Sequence, residues 1–285
     1  MAPAPNTLPD NTAVRVALWR ALHVLLDPKP HVLDDTVGLK LVAPEPGWEK
    51  RPDMDPLRTR TFRTSIVARA RVIEDLVEES AQRGVSQYVL LGAGLDTFAQ
   101  RRPELASRLQ VFEVEQPGTQ AWKRARLEEL GFALPAWLHF VPVDFEAHES
   151  WLQKIELAGF DAKKPAVVAS TGVAMYLTLE AITAMLKQVA SLAPGSTFAM
   201  SFIRPLALVD PEERPGYEAA IRGAAANGTP FLSFFAPPEI VALARDAGFK
   251  DVKHLSAPVL TQRYFAGRPD GLRPSSGEEL IVATT

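Results

Sequence analysis

Short apolar runs that alternate with helical segments constrain the fold of this chain more than any other feature of its sequence. Short runs that are mainly apolar are typical of strands buried on both faces of a parallel sheet. Segments with helical periodicity between them, such as residues 179–192, suit crossover helices that cover those faces. We therefore predict a doubly wound α/β fold with a mostly parallel sheet. The runs lie at 88–91, 109–114, 138–143, 166–169 and 197–203.

Four segments of the chain differ in character, and together they fit one domain over residues 1–285. This length is enough to bury one substantial core. Prolines and glycines interrupt the alternation after the fifth run, which indicates an insertion, and a helix with two further runs completes a seven-stranded sheet. The predicted segments are an N-terminal helical cap at 1–84, a cofactor-binding core at 85–204, a substrate-side insertion at 205–238, and a C-terminal helix with the last strands at 239–285.

The composition argues against several classes of function. The net charge is −3, which gives no indication of a nucleic-acid or anionic-membrane partner. The apolar stretch 166–179 is too short to span a bilayer, and the N-terminal residues lack the pattern of a secretory signal. The chain has no cysteine and no histidine–carboxylate spacing of the kind that binds zinc. We expect a cytoplasmic protein without a metal, in an oligomeric state that the sequence leaves open.

Small or acidic residues follow the first four runs, where a ligand of an open α/β sheet binds. The first run ends at Gly92-Ala93-Gly94, and glycine at such a turn lets a ligand approach the backbone closely. Glu115 ends the second run, 115 − 94 = 21 residues after Gly94, the usual separation for an acidic residue that accepts from ribose hydroxyls. Asp144 follows the third run. The sequence thus predicts a nucleotide-like ligand along this edge.

A nicotinamide-dependent oxidoreductase is one alternative, because Gly92, Gly94 and Glu115 also fit part of the dinucleotide fingerprint. The third glycine of that fingerprint would fall at position 97, where this chain has Thr97. A β-branched residue there is unfavourable for close packing of helix and strand at a pyrophosphate. A nicotinamide-dependent dehydrogenase is therefore disfavoured, although the ligand site itself is predicted.

Several motifs carry a resemblance to a known family. They are LLGAGLDTFAQRRP (90–103), VFEVEQPGTQAWKRARL (111–127), VPVDF (141–145) and GVAMYL (172–177). In this order and spacing the chain resembles the leucine carboxyl methyltransferase-like family, which includes protein-phosphatase carboxyl methyltransferases and many bacterial O-methyltransferases of secondary metabolism. The resemblance implies a Rossmann-like methyltransferase fold and S-adenosyl-L-methionine as the cofactor, with S-adenosyl-L-homocysteine as its product.

The resemblance also implies roles for particular residues. The glycine turn contacts the methionyl part of the cofactor, Glu115 binds the ribose, and Asp144 lies near the adenine. An arginine before the first strand pairs with the cofactor carboxylate, and Arg69 and Arg71 are both candidates. Bidentate pairing makes arginine suitable for a carboxylate. The predicted cofactor-binding set is Arg69, Arg71, Gly92, Ala93, Gly94, Asp96, Glu115, Gln116, Asp144, Phe145, Ser170 and Thr171.

One position departs from the family. Many members have a glutamate where this chain has Thr171, in Ser170-Thr171-Gly172. Threonine keeps a hydrogen-bonding group but loses the charge. The departure indicates either a different substrate chemistry or evolutionary drift.

The methyl acceptor is less constrained than the cofactor. A carboxylate acceptor is ionised at pH 7 and needs no base, whereas a hydroxyl usually benefits from one. We expect an O-methyltransferase of a small carboxylate or hydroxyl compound, with a protein C-terminal carboxyl methyltransferase or a non-catalytic cofactor-binding protein as alternatives. The catalytic candidates are Tyr176, Thr171 and His148. The candidates for substrate contact are Trp19, Tyr176, Arg204 and Phe234.

Overall fold

Seven strands and eleven α-helices make up the computed structural model over the part of the chain it describes, residues 11–145, 147 and 149–285. The strands are β1 (Gln87–Leu91), β2 (Gln110–Glu115), β3 (Leu138–Pro142), β4 (Val167–Ser170), β5 (Thr197–Ile203), β6 (Asp251–Leu255) and β7 (Glu278–Thr284). The helices are α1 (Asn11–Leu26), α2 (Val37–Val42), α3 (Arg60–Gln82), α4 (Phe98–Arg101), α5 (Pro103–Ala106), α6 (Pro117–Glu129), α7 (Trp151–Leu157), α8 (Leu179–Ala190), α9 (Arg214–Ala226), α10 (Pro237–Asp246) and α11 (Ala257–Tyr264).

The strands form one sheet in the order β3-β2-β1-β4-β5-β7-β6. Strands β1 to β5 pair with one another in parallel, and β7 runs antiparallel to both β5 and β6. The chain winds outward from β1 to β3 and then returns to β4 on the other side of β1. The predicted α/β fold with seven strands is confirmed. In such a sheet the crevice for a ligand opens at the carboxyl ends of β1 and β4.

The sequence of β1 explains why this strand lies at the centre. All five of its residues are buried, and successive side chains point to opposite faces. Val89 and Leu91 belong to one apolar cluster, whereas Tyr88 and Leu90 belong to another. The sheet therefore separates two cores, and helices cover both faces.

The N-terminal helices α1 and α3 pack against each other. A polar cluster joins their ends, where Arg63 Nε and Nη2 donate to Asp27 at 2.9 and 2.7 Å. His23 Nδ1 lies 2.8 Å from the same carboxylate, and the amide of Val32 donates to His23 Nε2. Because Nε2 accepts, Nδ1 carries the proton that bonds Asp27. This cluster fixes α1 against α3.

The insertion between β5 and α10 contains the helix α9, which the interrupted sequence pattern did not predict. Pro215 occupies the first turn of this helix, where its missing N–H is not needed. Tyr217 is its one buried residue and donates from its hydroxyl to the carbonyl of Arg204 at 2.6 Å. The insertion is therefore attached to the end of β5. Within the described ranges, no helix combines the length and apolar character that crossing a membrane requires.

Candidate active site

The turn after β1 needs glycine for both conformation and space. Gly92 and Gly94 have φ angles of +74° and +51°, a region that L-residues with a side chain rarely adopt. A Cβ at position 92 would lie 2.4 Å from Val173 Cγ2, in the loop after β4. The amides of Gly92 and Ala93 donate to the carbonyl of Val114 at 2.9 and 3.0 Å. The turn is thus held between the ends of β2 and β4 and presents backbone rather than side chains.

The Glu115 carboxylate lies against this turn. Its Oε2 accepts from the amide of Gly94 at 2.6 Å, and its Oε1 accepts from the amide of Gln116 at 3.0 Å. Gln116 is the residue that precedes α6. These bonds fix the acidic group at the end of β2, beside the glycine turn, as the spacing of 21 residues predicted.

Asp144 lies next to Glu115 along the same sheet edge. The amide of Val143 donates to the backbone carbonyl of Glu115 at 2.9 Å, which places the two strand ends side by side. Asp144 Oδ1 accepts from the amide of Ala147 at 3.1 Å, and Phe145 packs against the apolar core. Two acidic side chains therefore follow adjacent strands along one edge.

The two candidate arginines on α3 occupy different environments. Arg69 is 8% exposed, and its Nη1 donates to Glu278 Oε1 at 2.5 Å. A Cβ at Gly172 would come within 2.9 Å of Arg69 Nη2, so the loop after β4 leaves room for the guanidinium. Arg71 instead pairs with Asp75 on its own helix, and its side chain is 41% exposed. The structure brings Arg69 to the site and leaves Arg71 outside it.

A small cavity of about 80 Å³ lies beside the glycine turn. Gly92, Asp96 and Thr171 line it from the loops, and Arg69 and Glu74 line it from α3. Both signs of charge are present, which suits a zwitterionic ligand. Ser170 is fully buried at the end of β4, and among the described residues its hydroxyl has no hydrogen-bond partner. Its chain neighbours Ala169 and Thr171 are the residues of this strand end that line the cavity.

A second cavity of about 710 Å³ meets the first at Arg69. Its aromatic wall contains Trp19 from α1, Phe62 from α3, Tyr176 from the loop after β4 and Phe231 from the insertion. Trp19 stacks on Phe62 with ring centroids 6.2 Å apart, and Tyr176 meets Phe231 edge to face at 5.5 Å. The helical cap and the insertion thus enclose a chamber of the size and apolar character typical of small-molecule sites.

Two predicted substrate residues do not line this chamber. Arg204 Nη1 donates to the carbonyl of Ser276 at 3.0 Å and lies 3.4 Å from the buried Glu279. Phe234 packs against an apolar cluster of Met175, Ile203, Val209 and Tyr217. Arg204 was predicted from its position just beyond β5, and Phe234 as an aromatic residue of the insertion. The direction in which each side chain points depends on packing that the sequence does not show. The predicted residue His148 lies outside the described residues.

A buried polar network below the glycine turn was missed by the sequence interpretation. Arg20 Nε donates to Asp35 at 2.6 Å, and Arg20 Nη2 donates to the carbonyl of Leu95 at 2.6 Å. Thr97, at the position of the absent third glycine, donates to Asp35 and accepts from Arg101. Burial alone would raise the pKa of Asp35, but the Arg20 and Arg101 charges lower it. The sequence feature that could have indicated this network is Arg20, a charged residue on the apolar face of α1.

Among the described residues, no group of three or more His, Cys, Asp or Glu side chains is clustered so that it could hold a metal ion. The polar groups that the site presents are the glycine turn, two strand-end carboxylates and Arg69. These are the elements that a nucleoside with a charged amino-acid end requires.

The sequence profile of the family described as leucine carboxyl methyltransferase matches residues 13–190, which include all of these elements. The chain belongs to this family. The sequence-based prediction of the family and of its S-adenosyl-L-methionine cofactor is thereby confirmed. Membership also removes the support for a nicotinamide-dependent oxidoreductase.

Relatives of this family member agree with that assignment. A Bacillus subtilis (strain 168) protein named "Putative S-adenosyl-L-methionine-dependent methyltransferase YktD" is 34% identical over 207 residues, 72% of this chain and 67% of that protein. A Mycobacterium tuberculosis (strain ATCC 25618 / H37Rv) protein named "Putative S-adenosyl-L-methionine-dependent methyltransferase Rv0830" is 30% identical over 219 residues, 72% and 70% of the two chains. The matched part therefore spans about two thirds of each relative.

A solved structure shares the fold across nearly its whole length. It is the crystal structure titled as a putative methyltransferase from Thermobifida fusca YX, with a TM-score of 0.59 and 19% identity. The match covers 97% of this chain and 95% of that one. At this identity the likeness concerns the fold, including the cap and the last strands.

Proposed function

We propose that this family member transfers a methyl group from S-adenosyl-L-methionine to an oxygen atom of a small molecule, a carboxylate or a hydroxyl, in secondary metabolism. The observation that carries the proposal is the chamber of about 710 Å³ that meets the glycine-turn cavity at Arg69. A methyl donor held at the turn would face an acceptor held in the chamber. We retain the cytoplasmic location as part of the proposal, with no nucleic-acid or membrane partner.

The cofactor-binding roles extend along the sheet edge. We propose that Arg69, rather than Arg71, pairs with the carboxylate of the cofactor, because Arg69 is the arginine that lines the cavity. Glu115 is suited to the ribose hydroxyls and Asp144 to the adenine side. Ala93, Asp96, Gln116, Phe145 and Ser170 complete the set. When bound, the sulfonium supplies an activated methyl group for in-line displacement.

In this proposal, the shape of the chamber is the main feature that orients the methyl acceptor. We propose Trp19 and Tyr176 as substrate contacts, since both line the chamber, and Tyr176 with Thr171 as candidates for a catalytic contact. Holding two reactants in a near-attack arrangement can contribute a large share of the rate enhancement. Arg204 and Phe234 do not contact the acceptor in this proposal; they pack against residues that form the chamber wall.

A protein C-terminal carboxyl methyltransferase is the second candidate, and the name of the matched family favours it. The chamber is walled by α1, α3 and α9, which supports a small molecule rather than a polypeptide end.

Methyl-labelled S-adenosyl-L-methionine, incubated with the protein and an extract of the source organism, separates the two candidates. We expect label in the low-molecular-mass fraction. Label that stays with polypeptide would favour the second candidate and contradict the first. Treatment with mild alkali then distinguishes a methyl ester, which releases methanol, from a methyl ether, which does not.

A further inference from the structure

The chamber of about 710 Å³ extends along one face of α3. Phe62, Ile66 and Arg69 line it at intervals of three or four residues, so their side chains share that face. Arg69 follows Arg60, the first residue of α3, by 69 − 60 = 9 residues, which corresponds to about 14 Å along the helix axis. The chamber is therefore elongated, and it meets the glycine-turn cavity at its Arg69 end.

The two ends of the chamber differ in their exposure to solvent. At the Arg69 end, the lining residues Ile66 and Met175 are buried. Pro52 and Arg58, which precede α3 and line the opposite end, are exposed. The chamber thus opens to solvent near the start of α3. We call the part lined by Arg15, Pro52, Asp53 and Arg58 the outer end, and the part beside Arg69 the inner end.

Arg15 extends from α1 to the outer end, where its side chain is 31% exposed. Its Nε lies 3.6 Å from Asp53 Oδ2, too far for a hydrogen bond, and has no hydrogen-bond partner among the described residues. Its Cζ lies 6.0 Å from the centroid of the Trp19 ring. The guanidinium therefore lies beside the aromatic wall with hydrogen-bonding capacity that the described part of the chain does not use.

The carboxylates near the outer end already have other partners. Arg51 Nε and Nη2 donate to the two carboxylate oxygens of Asp53 at 3.0 and 2.6 Å. Asp55 does not line the chamber, and its Oδ1 accepts from the amide of Arg58 at 2.8 Å. The Arg58 guanidinium makes no ion pair with any described carboxylate. The lining of the outer end thus carries the guanidinium groups of Arg15 and Arg58 against one carboxylate, which Arg51 shares.

At the inner end, by contrast, the opposite charges of the lining are paired. Arg69 Nη1 donates to Glu278 Oε1 at 2.5 Å, and both residues line the chamber. Between the two ends lies the aromatic wall, whose faces suit a flat apolar body. The surplus of positive charge is therefore confined to the outer end, away from the glycine turn.

We propose that the methyl acceptor is an elongated compound with an aromatic body and an anionic group, a carboxylate or a phosphate, that binds Arg58 and Arg15 at the outer end. The inference rests on the proposed function and names its substrate class. The anionic group anchors the acceptor and is not the group that is methylated, because the start of α3 and Arg69 are about 14 Å apart along the helix. The acceptor oxygen lies at the inner end, beside Arg69 and Thr171.

The chemistry of arginine suits this anchor. The guanidinium group keeps its charge at any pH at which the protein is folded, and it donates two parallel hydrogen bonds to a carboxylate or a phosphate. Arg58 is exposed, so water screens its charge, whereas Arg15 is half-buried. We therefore expect the anionic group to raise affinity by roughly tenfold rather than by several orders of magnitude.

Calorimetry with two probes of matched shape tests the anchor. The probes are 4′-hydroxybiphenyl-4-carboxylate and the neutral 4′-hydroxybiphenyl-4-carboxamide, both measured with the cofactor site saturated by S-adenosyl-L-homocysteine. We expect the wild type to bind the carboxylate roughly tenfold more tightly than the carboxamide. Equal binding, tighter binding of the carboxamide, or no binding of the carboxylate would overturn the proposal. This comparison needs no variant.

Two variants locate the anionic group. Arg58→Gln and Arg15→Gln should each reduce the preference for the carboxylate to about threefold or less and leave the affinity for S-adenosyl-L-homocysteine unaltered. The control is Arg222→Gln on α9, which removes the same charge from an exposed arginine that does not line the chamber. A reduction in either variant that the control lacks supports the anchor. A full preference in both, or an equal reduction in all three, would overturn it.

A third probe, 4′-hydroxybiphenyl-4-yl phosphate, identifies the anionic group. Tighter binding of the phosphate than of the carboxylate assigns a phosphate, and the reverse order assigns a carboxylate. Either order supports the anchor when the carboxamide binds more weakly than both.

These measurements keep the proposed function separate from the anchor, because the probes report binding and not methyl transfer. If the wild type fails to bind S-adenosyl-L-homocysteine, the proposed function itself is wrong. If it binds this compound but shows no preference for the charged probes, only the anionic anchor is wrong.

Discussion

At the residue scale, the two candidate arginines of α3 differ in what their side chains contact. Arg69 pairs with Glu278 and lines both cavities, whereas Arg71, two positions later on α3, pairs with Asp75 at the surface. The sequence could name both arginines but not choose between them, because successive helical residues differ by about 100° in direction and only packing shows which faces the sheet. Glu278 could not be found at all, since its relation to Arg69 depends on the insertion of β7.

The pair of arginines gives a matched test. Arg69→Gln should weaken the binding of S-adenosyl-L-homocysteine by roughly ten- to a hundredfold, since a hydrogen bond between charged groups contributes about 1.5–3 kcal/mol. Arg71→Gln, with the same change in charge, should leave affinity unaltered. Calorimetry measures both, with melting curves to check that each variant is folded. Equal effects would show that neither arginine binds the cofactor directly.

Glu115 was predicted from its place after the second run, its spacing from Gly94 and the family resemblance, and its bonds to Gly94 and Gln116 hold it at the end of β2. Replacing it with alanine should lower the affinity for S-adenosyl-L-homocysteine about tenfold or more, because an ionised acceptor for two hydroxyls is lost. Glu128→Ala, on the exposed surface of α6, provides the control. Unchanged affinity in Glu115→Ala, measured by calorimetry, would mean that the ribose lies elsewhere.

At the scale of elements, buried strands were easier to predict than the helices around them. The strands of the parallel sheet are apolar on both faces, so their sequences are distinct, and the predicted fifth strand at 197–203 coincides with β5. The helix α9 was missed because Pro215, Gly216 and Gly223 resemble loop sequence, and because Tyr217 is its one buried residue. A helix that buries so few side chains shows little hydrophobic periodicity in its sequence.

The joint between α1 and α3 predicts a dependence of stability on pH. Burial would raise the pKa of Asp27, but hydrogen bonds from His23 and Arg63 and the Arg63 charge lower it from 3.8 to about 2. A carboxylate with a depressed pKa in the folded state contributes stability above pH 4, and this contribution is lost as pH falls from about 4 to 2. The contribution amounts to about 2 kcal/mol.

Asp27→Asn should therefore lower the free energy of unfolding at pH 7 and flatten its decline between pH 4 and 2. Urea denaturation across this range measures both effects, and Asp34→Asn, on an exposed carboxylate close by, is the control. An unchanged pH profile in Asp27→Asn would show that the joint contributes nothing through its charge.

At the scale of the whole molecule, a parallel sheet supports the cofactor edge while the cap and the insertion enclose an acceptor chamber. The first part could be predicted because its residues follow strands at characteristic spacings. The second part could be predicted only in outline, as a cap, an insertion and the contacts Trp19 and Tyr176, because the chamber is formed by α1, α3, α9 and the start of β7, which are distant along the chain. The family profile ends at residue 190, so it includes α1 and α3 of the chamber but not α9 or β7.

The identity of the ligand at the glycine turn is the claim on which the whole account depends. A ligand that binds only the folded state raises the melting temperature, and at about 100 times its dissociation constant it adds about 2.7 kcal/mol to stability. For a protein of this size, that corresponds to a rise of several degrees. The decisive measurement is the melting temperature of the wild type with S-adenosyl-L-homocysteine and, separately, with NADH. The account predicts a rise with S-adenosyl-L-homocysteine and none with NADH, and the reverse pattern would contradict it.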